Sequence, residues 1–435
     1  MNAKDLEKLR YQVKAAWAKL PKEVQARLEP KIRAAHAHTL ALRNKAITPA
    51  ARPPARELLM LHSLLNDNPD ALVHTPSSLA AAGLFSTQVY PDGEIYYGGV
   101  DYDSTDPGWA YCLPAMLDTE DETPPFQVGN VIRIPDNTTL AILGDWGGAN
   151  QPALNIAAAA KAYPYIIHLG DVYYAGTNES HLLEPYESTD FVNIWPGVAG
   201  RSFALNSNHD MYAHATGYSL TALTAPAFQA QGGNCFALYN NAFRIVGLDT
   251  AYYAPDNSIG DFPGYMIGSL GDPQGAQMAF LQQQISQLTA GQKLILLTHH
   301  NGLPIGGVPT PTDDSYTLWQ QVTPALQQIP ANASKDVLWY WGHVHIGAVY
   351  ASQTVNGITV NPRCCGHGCI PWGVASDLQA GVQAGNVLWF EQEVLGPGTN
   401  YFVANGYAVL GLSGASLTES FWNQNGKQSW PVPTV

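Results

Sequence analysis

The chain has 435 residues, of which 46% are hydrophobic and 13% charged, and its formal net charge is −14. That is enough apolar material for a large core and more than one domain, and it excludes an intrinsically disordered chain. The charge is unevenly spread: residues 1–60 hold 13 Lys/Arg against 5 Asp/Glu, and the remainder holds 8 against 30.

An acidic body with so few cations is a poor surface for polyanions, so no nucleic-acid partner is expected. The basic segment has a helical pattern, which suits packing on the acidic body or on a second subunit. Met1–Tyr11 is charged and lacks the apolar run of a signal peptide. No apolar run reaches the ~18–20 residues that span a bilayer. The expectation is a cytoplasmic protein with no transmembrane segment. Five cysteines, Cys112, Cys235, Cys364, Cys365 and Cys369, are an odd number in a large chain and imply no disulfide framework.

In chain order, Asp5 to about Lys45 is helical. Leu6, Leu9, Val13, Ala16 and Trp17 recur at spacings of three and four, Pro21 interrupts them, and a second helix starts near Glu23. Pro49, Pro53 and Pro54 mark a linker, and a short helix follows over Arg56–Leu65. "QVYPDGEIYYGG" reads as a hairpin turning at Asp92-Gly93. Leu117–Pro125 is an acidic exposed loop. From about Val131, strands and helices alternate: strands over Thr139–Leu143, Tyr165–Leu169, Phe203–Leu205, Leu294–Leu297 and Val337–Trp341, an antiparallel pair over Phe236–Tyr239 and Phe243–Leu248, helices over Leu154–Ala162 and Pro273–Leu288, and further strands over Tyr401–Trp422. This pattern predicts an α/β layered body over residues 131–435 behind a helical extension, residues 1–130, that carries the hairpin. The extension offers a docking or homo-oligomerisation module.

Polar residues of ligand type follow the core strands. "AILGDWGG" places Asp145 after one strand, and "IIHLGDVYYAG" places Asp171 and Tyr174 after the next. "FALNSNHDMY" brings Asn208, His209 and Asp210, "LILLTHHNG" brings His299 and His300, and "LWYWGHVHIG" brings His343 and His345. In α/β sheets the ligand crevice lies outside the carboxyl ends of the strands, so the five loops converge on one rim. Gly144, Gly170 and Gly342 permit the tight turns. A donor set of carboxylate, imidazole, amide oxygen and phenol suits Fe, Mn, Zn or Co, and a shared aspartate could bridge two ions ~3.5–4 Å apart. Singly, Asp-Trp-Gly or Gly-Asp is an ordinary turn and His-His a buried pair; the ordered set of five carries the reading.

The order Asp-x-Gly, Gly-Asp-x-x-Tyr, Asn-His-Asp, His, Gly-His-x-His resembles the calcineurin-like metallophosphoesterase superfamily, and within it the purple acid phosphatase branch. Other branches carry Asp-x-His, whose His binds metal; here the position is Gly147, and Tyr174 stands where the purple branch has its tyrosine. "SNHDMY", "RIVGLDTAY" and "CCGHGCIPWG" resemble bacterial members. The resemblance covers about Thr138–Trp422. It implies a four-layer αββα sandwich and phosphomonoester hydrolysis by a metal-bound hydroxide at a binuclear centre. It also implies Fe(III) on Asp145, Tyr174, His345 and bridging Asp171, with a divalent Fe, Zn or Mn on Asp171, Asn208, His299 and His343. His209 would be the acid or hydrogen-bond donor near the leaving group of a small phosphorylated substrate, oriented by Asp210, and His300 either touches that substrate or is a packed histidine outside the metal shell. A phosphodiesterase of the same superfamily and a non-catalytic metal-binding relative are the alternatives. Two departures are Ser207, where the usual residue is Gly, and Asn301, where many relatives have Pro. Asp249 reads as a structural residue below the site. Cys364, Cys365 and Cys369 around His367 do not have four-ligand zinc spacing and read as structural thiols.

Overall fold

The computed structural model describes residues 123–178, 185–255, 264–370, 376–393 and 403–431, the strand pair β1 (Thr87–Val89) and β2 (Ile95–Tyr97), and scattered helical positions between 11 and 33. β1 and β2 pair antiparallel, as a hairpin requires; the Asp92-Gly93 turn, the linker prolines and the helix expected over 56–65 lie outside the described residues. Among the described residues no helix is long and apolar enough to cross a membrane.

The body runs β3 (Val128–Arg133), β4 (Asn137–Leu143), α1 (Gln151–Ala160), β5 (Tyr165–His168), β6 (Ser202–Ala204), the single turn α2 (Asn208–Met211), β7 (Cys235–Tyr239), β8 (Phe243–Leu248) and α3 (Ala276–Ser286). It continues through β9 (Lys293–Thr298), α4 (Tyr316–Leu326), β10 (Asp336–Trp341), β11 (Gly347–Tyr350), β12 (Gln353–Val355), β13 (Ile358–Cys365), α5 (Ser376–Gln383), β14 (Val387–Phe390), β15 (Gly406–Ser413), β16 (Ser416–Asn423) and β17 (Gln428–Trp430). The fold is mixed α/β with two sheets. One has the order β17-β16-β15-β4-β5-β6, the other β14-β11-β13-β10-β9-β8-β7-β3 with β12 beside β13. β4, β5 and β6 are parallel in the first, and β8, β9, β10 and β13 in the second.

The period of two along a strand sorts the side chains. Leu140 and Ile142 of β4 share a buried cluster with Ile167 and Phe203 of the same sheet and with Phe236, Ile245, Ile295 and Leu338 of the other. Phe203 stacks on Phe236 at 4.9 Å between centroids. The alternate residues, Ala141 and Leu143, join Ile156 of α1. On the far face of the larger sheet, Leu294 and Leu296 pack with Leu281 of α3 and Leu318 of α4. The helical positions Val13 and Ile32 are buried in the α1 cluster, so these residues of the basic segment pack on the body.

α1 begins where Asn150 accepts from the backbone N–H of Ala153 and Pro152 fits the first turn. α4 and the strands β11 to β14 are absent from the sequence reading. Pro324 inside α4 breaks the helical signal, although tertiary packing of Leu318 and Val322 holds the helix.

One ionic contact ties the sheets together. Arg363 of β13 donates from Nε and Nη2 to Glu419 of β16 at 3.0 and 3.1 Å, and Tyr340 of β10 donates to the same carboxylate at 2.6 Å. Glu419→Ala would strand a guanidinium and a buried phenol, and we expect a loss of about 2–3 kcal/mol. Chemical denaturation measures it, and an unchanged midpoint would show that the contact contributes nothing.

Candidate metal centre

β4, β5 and β6 of one sheet and β9 and β10 of the other all end at one rim, each followed by ligand-type residues: Asp145, Asp171, Asn208, His299, and His343 with His345. Asp145, Asp171 and His343 have φ of +54°, +74° and +64°. L-residues rarely adopt this left-handed backbone, and where it occurs it clusters at functional sites. Gly170 has φ +103°, and a Cβ there would lie 2.7 Å from His299 Nδ1, so the turn that delivers Asp171 accepts only glycine. Gly147 is equally closed: a Cβ would meet the Asp171 carbonyl at 2.8 Å and Val172 Cα at 2.9 Å. No histidine could occupy the position without displacing that backbone.

The donor chemistry leaves lone pairs facing one another. His299 Nδ1 lies 2.9 Å from the Leu169 carbonyl, which can only accept, so the ring proton sits on Nδ1. Burial lowers the His299 pKa, which favours the neutral ring with a lone pair on Nε2. That Nε2 lies 2.8 Å from Asn208 Oδ1 and 3.2 Å from Asp171 Oδ1. His343 Nδ1 approaches the same Asn208 oxygen at 3.0 Å, while Asp171 Oδ1 is buried with no donor among the described residues. Orphaned acceptors at this depth are costly unless a cation binds them.

The second cluster is crowded in the same way. Ligand atoms of Asp145, Asp171 and His345 lie within 4.8 Å of one another. The phenol of Tyr173 sits among them, 2.9 Å from Asp171 Oδ2, 3.0 Å from His345 Nε2 and 3.3 Å from Asp145 Oδ1. One hydroxyl proton cannot serve three acceptors. Burial, followed by the Asp171 charge, raises the Asp145 carboxyl well above its usual range. Burial would raise Asp171 too, but the imidazoles of His209 and His299 outweigh it and hold Asp171 well below. Burial lowers His345 to about 4, so its ring is a neutral donor. The two clusters meet at Asp171, and their His and Asp groups could hold metal.

Three of the expected site residues have surroundings that differ from the sequence expectation. The tyrosine among the acceptors is Tyr173, not Tyr174, whose ring packs against Tyr186 at 5.7 Å. The side chain turned toward the acceptors is the one two residues after Asp171. Asp210 does not orient His209. His209 Nδ1 lies 2.7 Å from the Tyr174 carbonyl, while Asp210 accepts from Ser207 Oγ at 2.5 Å. Burial raises Asp210 to about 7. Ser207, the departure from glycine, serves as the cap of α2. His300 is not aimed at a substrate. Its nitrogens lie near those of His299 and His343, as a metal trio would, but Nδ1 meets Thr250 Oγ1 at 2.9 Å and Nε2 meets the Tyr265 carbonyl at 2.8 Å. With both nitrogens engaged, His300 holds the Tyr265 segment in place instead.

Asp249 is buried beneath the site and accepts from Asn206, Asn234 and the backbone of Ala251 and Tyr252. Cys364, Cys365 and Cys369 are buried free thiols; Cys365 donates to the Ile142 carbonyl and Cys364 to that of Val344, and none belongs to a metal-type cluster among the described residues.

No protein-family description matches the chain, and no curated protein matches it. Several solved structures are similar. One is GAP50, the anchor in the inner membrane complex of Plasmodium, at 15% identity and a TM-score of 0.44, covering 68% of this chain and 87% of that one. Another is a conserved uncharacterised protein, a predicted phosphoesterase, from Streptococcus pneumoniae, at 9% identity and a TM-score of 0.27, covering 68% and 94%. A third is the phosphopantetheinyl hydrolase of Mycobacterium tuberculosis, at 11% identity and a TM-score of 0.28, covering 54% and 92%. These likenesses are remote, and the functional reading rests on the rim itself.

Proposed function

We propose that the chain is a metal-dependent phosphoesterase of the purple acid phosphatase type, on a four-layer arrangement with α1 outside one sheet and α3 and α4 outside the other. The observation that carries the reading is the pair of acceptor clusters sharing Asp171: His299 Nε2, Asn208 Oδ1 and Asp171 Oδ1 on one side, and Asp145, His345 and the second Asp171 oxygen around one phenol on the other. Asp171, Asn208, His299 and His343 would hold one ion, and Asp145, Asp171, His345 and the Tyr173 phenol the other, a set that favours trivalent iron beside a divalent Fe, Zn or Mn. Bound ions supply Lewis acidity at the phosphoryl oxygen and bring the pKa of water towards neutrality.

The chain's own groups do the rest. The Leu169 carbonyl fixes the His299 tautomer and aims Nε2 at the site. The His343 backbone N–H holds Asp145 Oδ2 at 2.8 Å, which orients that carboxylate. His209, held through Nδ1, presents Nε2 3.9 Å from Asp171 Oδ2, where it can give a proton or hydrogen bond to a leaving oxygen.

The purified full-length chain should retain about two ions per molecule, read by elemental analysis, and hydrolyse aryl phosphates. A protein that stays metal-free and inactive with added Fe, Mn and Zn, on both monoesters and bis-aryl diesters, would remove the proposal.

A further inference from the structure

Residues 61–435 contain only eight Lys/Arg: Arg133, Lys161, Arg201, Arg244, Lys293, Lys335, Arg363 and Lys427. Their placement is one-sided. Lys293 opens β9, Arg244 lies at the start of β8, Lys335 precedes β10 and Arg201 precedes β6, all at the amino ends of the strands whose carboxyl ends form the rim. Lys161 follows α1 as the chain returns to the start of β5, and Arg133 closes β3 beside Tyr239, which pairs with Arg244. Arg363 is bound to Glu419 between the sheets. Lys427, in the turn between β16 and β17, is two strands away from β4 and ion-paired with Glu393 at 2.6 Å. No lysine or arginine follows the strands that carry Asp145, Asp171, Asn208, His299 or His343.

What does stand at the mouth is apolar and aromatic. Asn208 Nδ2 lies 3.1 Å from the Tyr212 hydroxyl and 3.6 Å from Met266 Sδ, and Tyr212 reaches the same sulfur at 3.7 Å. The Tyr212 ring lies against His209 at 5.0 Å, and Met266 is 45% exposed. The Tyr265 carbonyl, one residue away, is pinned by His300. A fixed, exposed thioether beside a phenol, next to a proposed ligand, is a platform for a flat apolar group.

Resting on the proposed function, we infer that this mouth selects esters with one phosphoryl group and an aromatic leaving group seated on Met266 and Tyr212, and selects against polyanions such as pyrophosphate or nucleoside triphosphates. A second phosphoryl group would need cationic partners to offset its desolvation, and the described rim offers none.

The test uses the metal-loaded full-length protein and two readouts. Calorimetry compares 1-naphthylphosphonate, which cannot be hydrolysed, with pyrophosphate, and kinetics compares 1-naphthyl phosphate, glycerol 2-phosphate and ATP. The naphthyl compounds should be preferred by about tenfold or more, the range one well-placed apolar contact gives. Met266→Ala should lower kcat/KM for naphthyl phosphate several-fold more than it lowers kcat/KM for glycerol 2-phosphate. Tighter binding of pyrophosphate than of the phosphonate, ATP turnover at or above naphthyl phosphate turnover, or an equal loss on both esters in Met266→Ala overturns the inference while the phosphoesterase reading stands. Phosphonate preference in a protein that hydrolyses nothing keeps the aromatic platform and removes the phosphoesterase reading.

Discussion

Asp171→Asn should leave a folded protein that retains neither ion. The side chain is fully buried and its two oxygens point to different clusters, Oδ1 toward His299 and Oδ2 toward Tyr173. An amide of the same shape offers one oxygen and one NH2, so one cluster loses an acceptor and gains a donor that repels a cation. Substitutions that merely support a ligand cost about 10–100-fold in metal affinity, and the loss here should exceed that at both sites. Elemental analysis after dialysis reads the stoichiometry, and thermal melting checks the fold. The metal-free fold should survive, because the amide keeps the shape of the side chain and takes a formal charge out of a fully buried position. One ion retained at full occupancy would show that the two clusters do not share Asp171.

Tyr173→Phe and Tyr174→Phe should separate cleanly. If the Tyr173 phenol ligates trivalent iron, the iron-loaded protein is coloured, Tyr173→Phe loses or shifts the visible band, and Tyr174→Phe keeps it. A second readout needs no metal. In the ion-free protein the Tyr173 hydroxyl is the donor among Asp145, Asp171 and His345, so its removal should cost about 1–2 kcal/mol of stability. Loss of the band in Tyr174→Phe alone would restore the sequence-based assignment and show that the segment rearranges when the ion binds.

That pair of tyrosines marks where the sequence stops being readable. Apolar runs such as Leu140–Leu143 and Leu294–Leu297 announce core strands because burial on both faces demands them, and polar residues of ligand type right after five such runs announce a rim. Which of two adjacent tyrosines turns inward depends on the backbone direction after Asp171, itself at a left-handed φ, and spacing alone does not encode it. The surroundings of His300 and Asp210 are unreadable for a related reason. Both are polar residues next to ligand positions, yet their partners, the Tyr265 carbonyl and Ser207, come from tertiary placement and a local cap. The division of the rim between two sheets was also invisible in the residues themselves, since β4 to β6 and β9 to β10 read alike as buried strands.

That division has a mechanical consequence. Three of the five loops belong to one sheet and two to the other, so a filled centre would act as a cross-brace at one end of the two sheets, in addition to side-chain packing and the Arg363–Glu419 contact. On the proposed function, ions would bind only with the sheets in register, and each bound ion would lower the native state's free energy by RT ln(1 + [L]/Kd). Metal supply and sheet cohesion become one equilibrium. Loosening the Phe203–Phe236 stack, far from any ligand, would then register first as weakened hold on the ions.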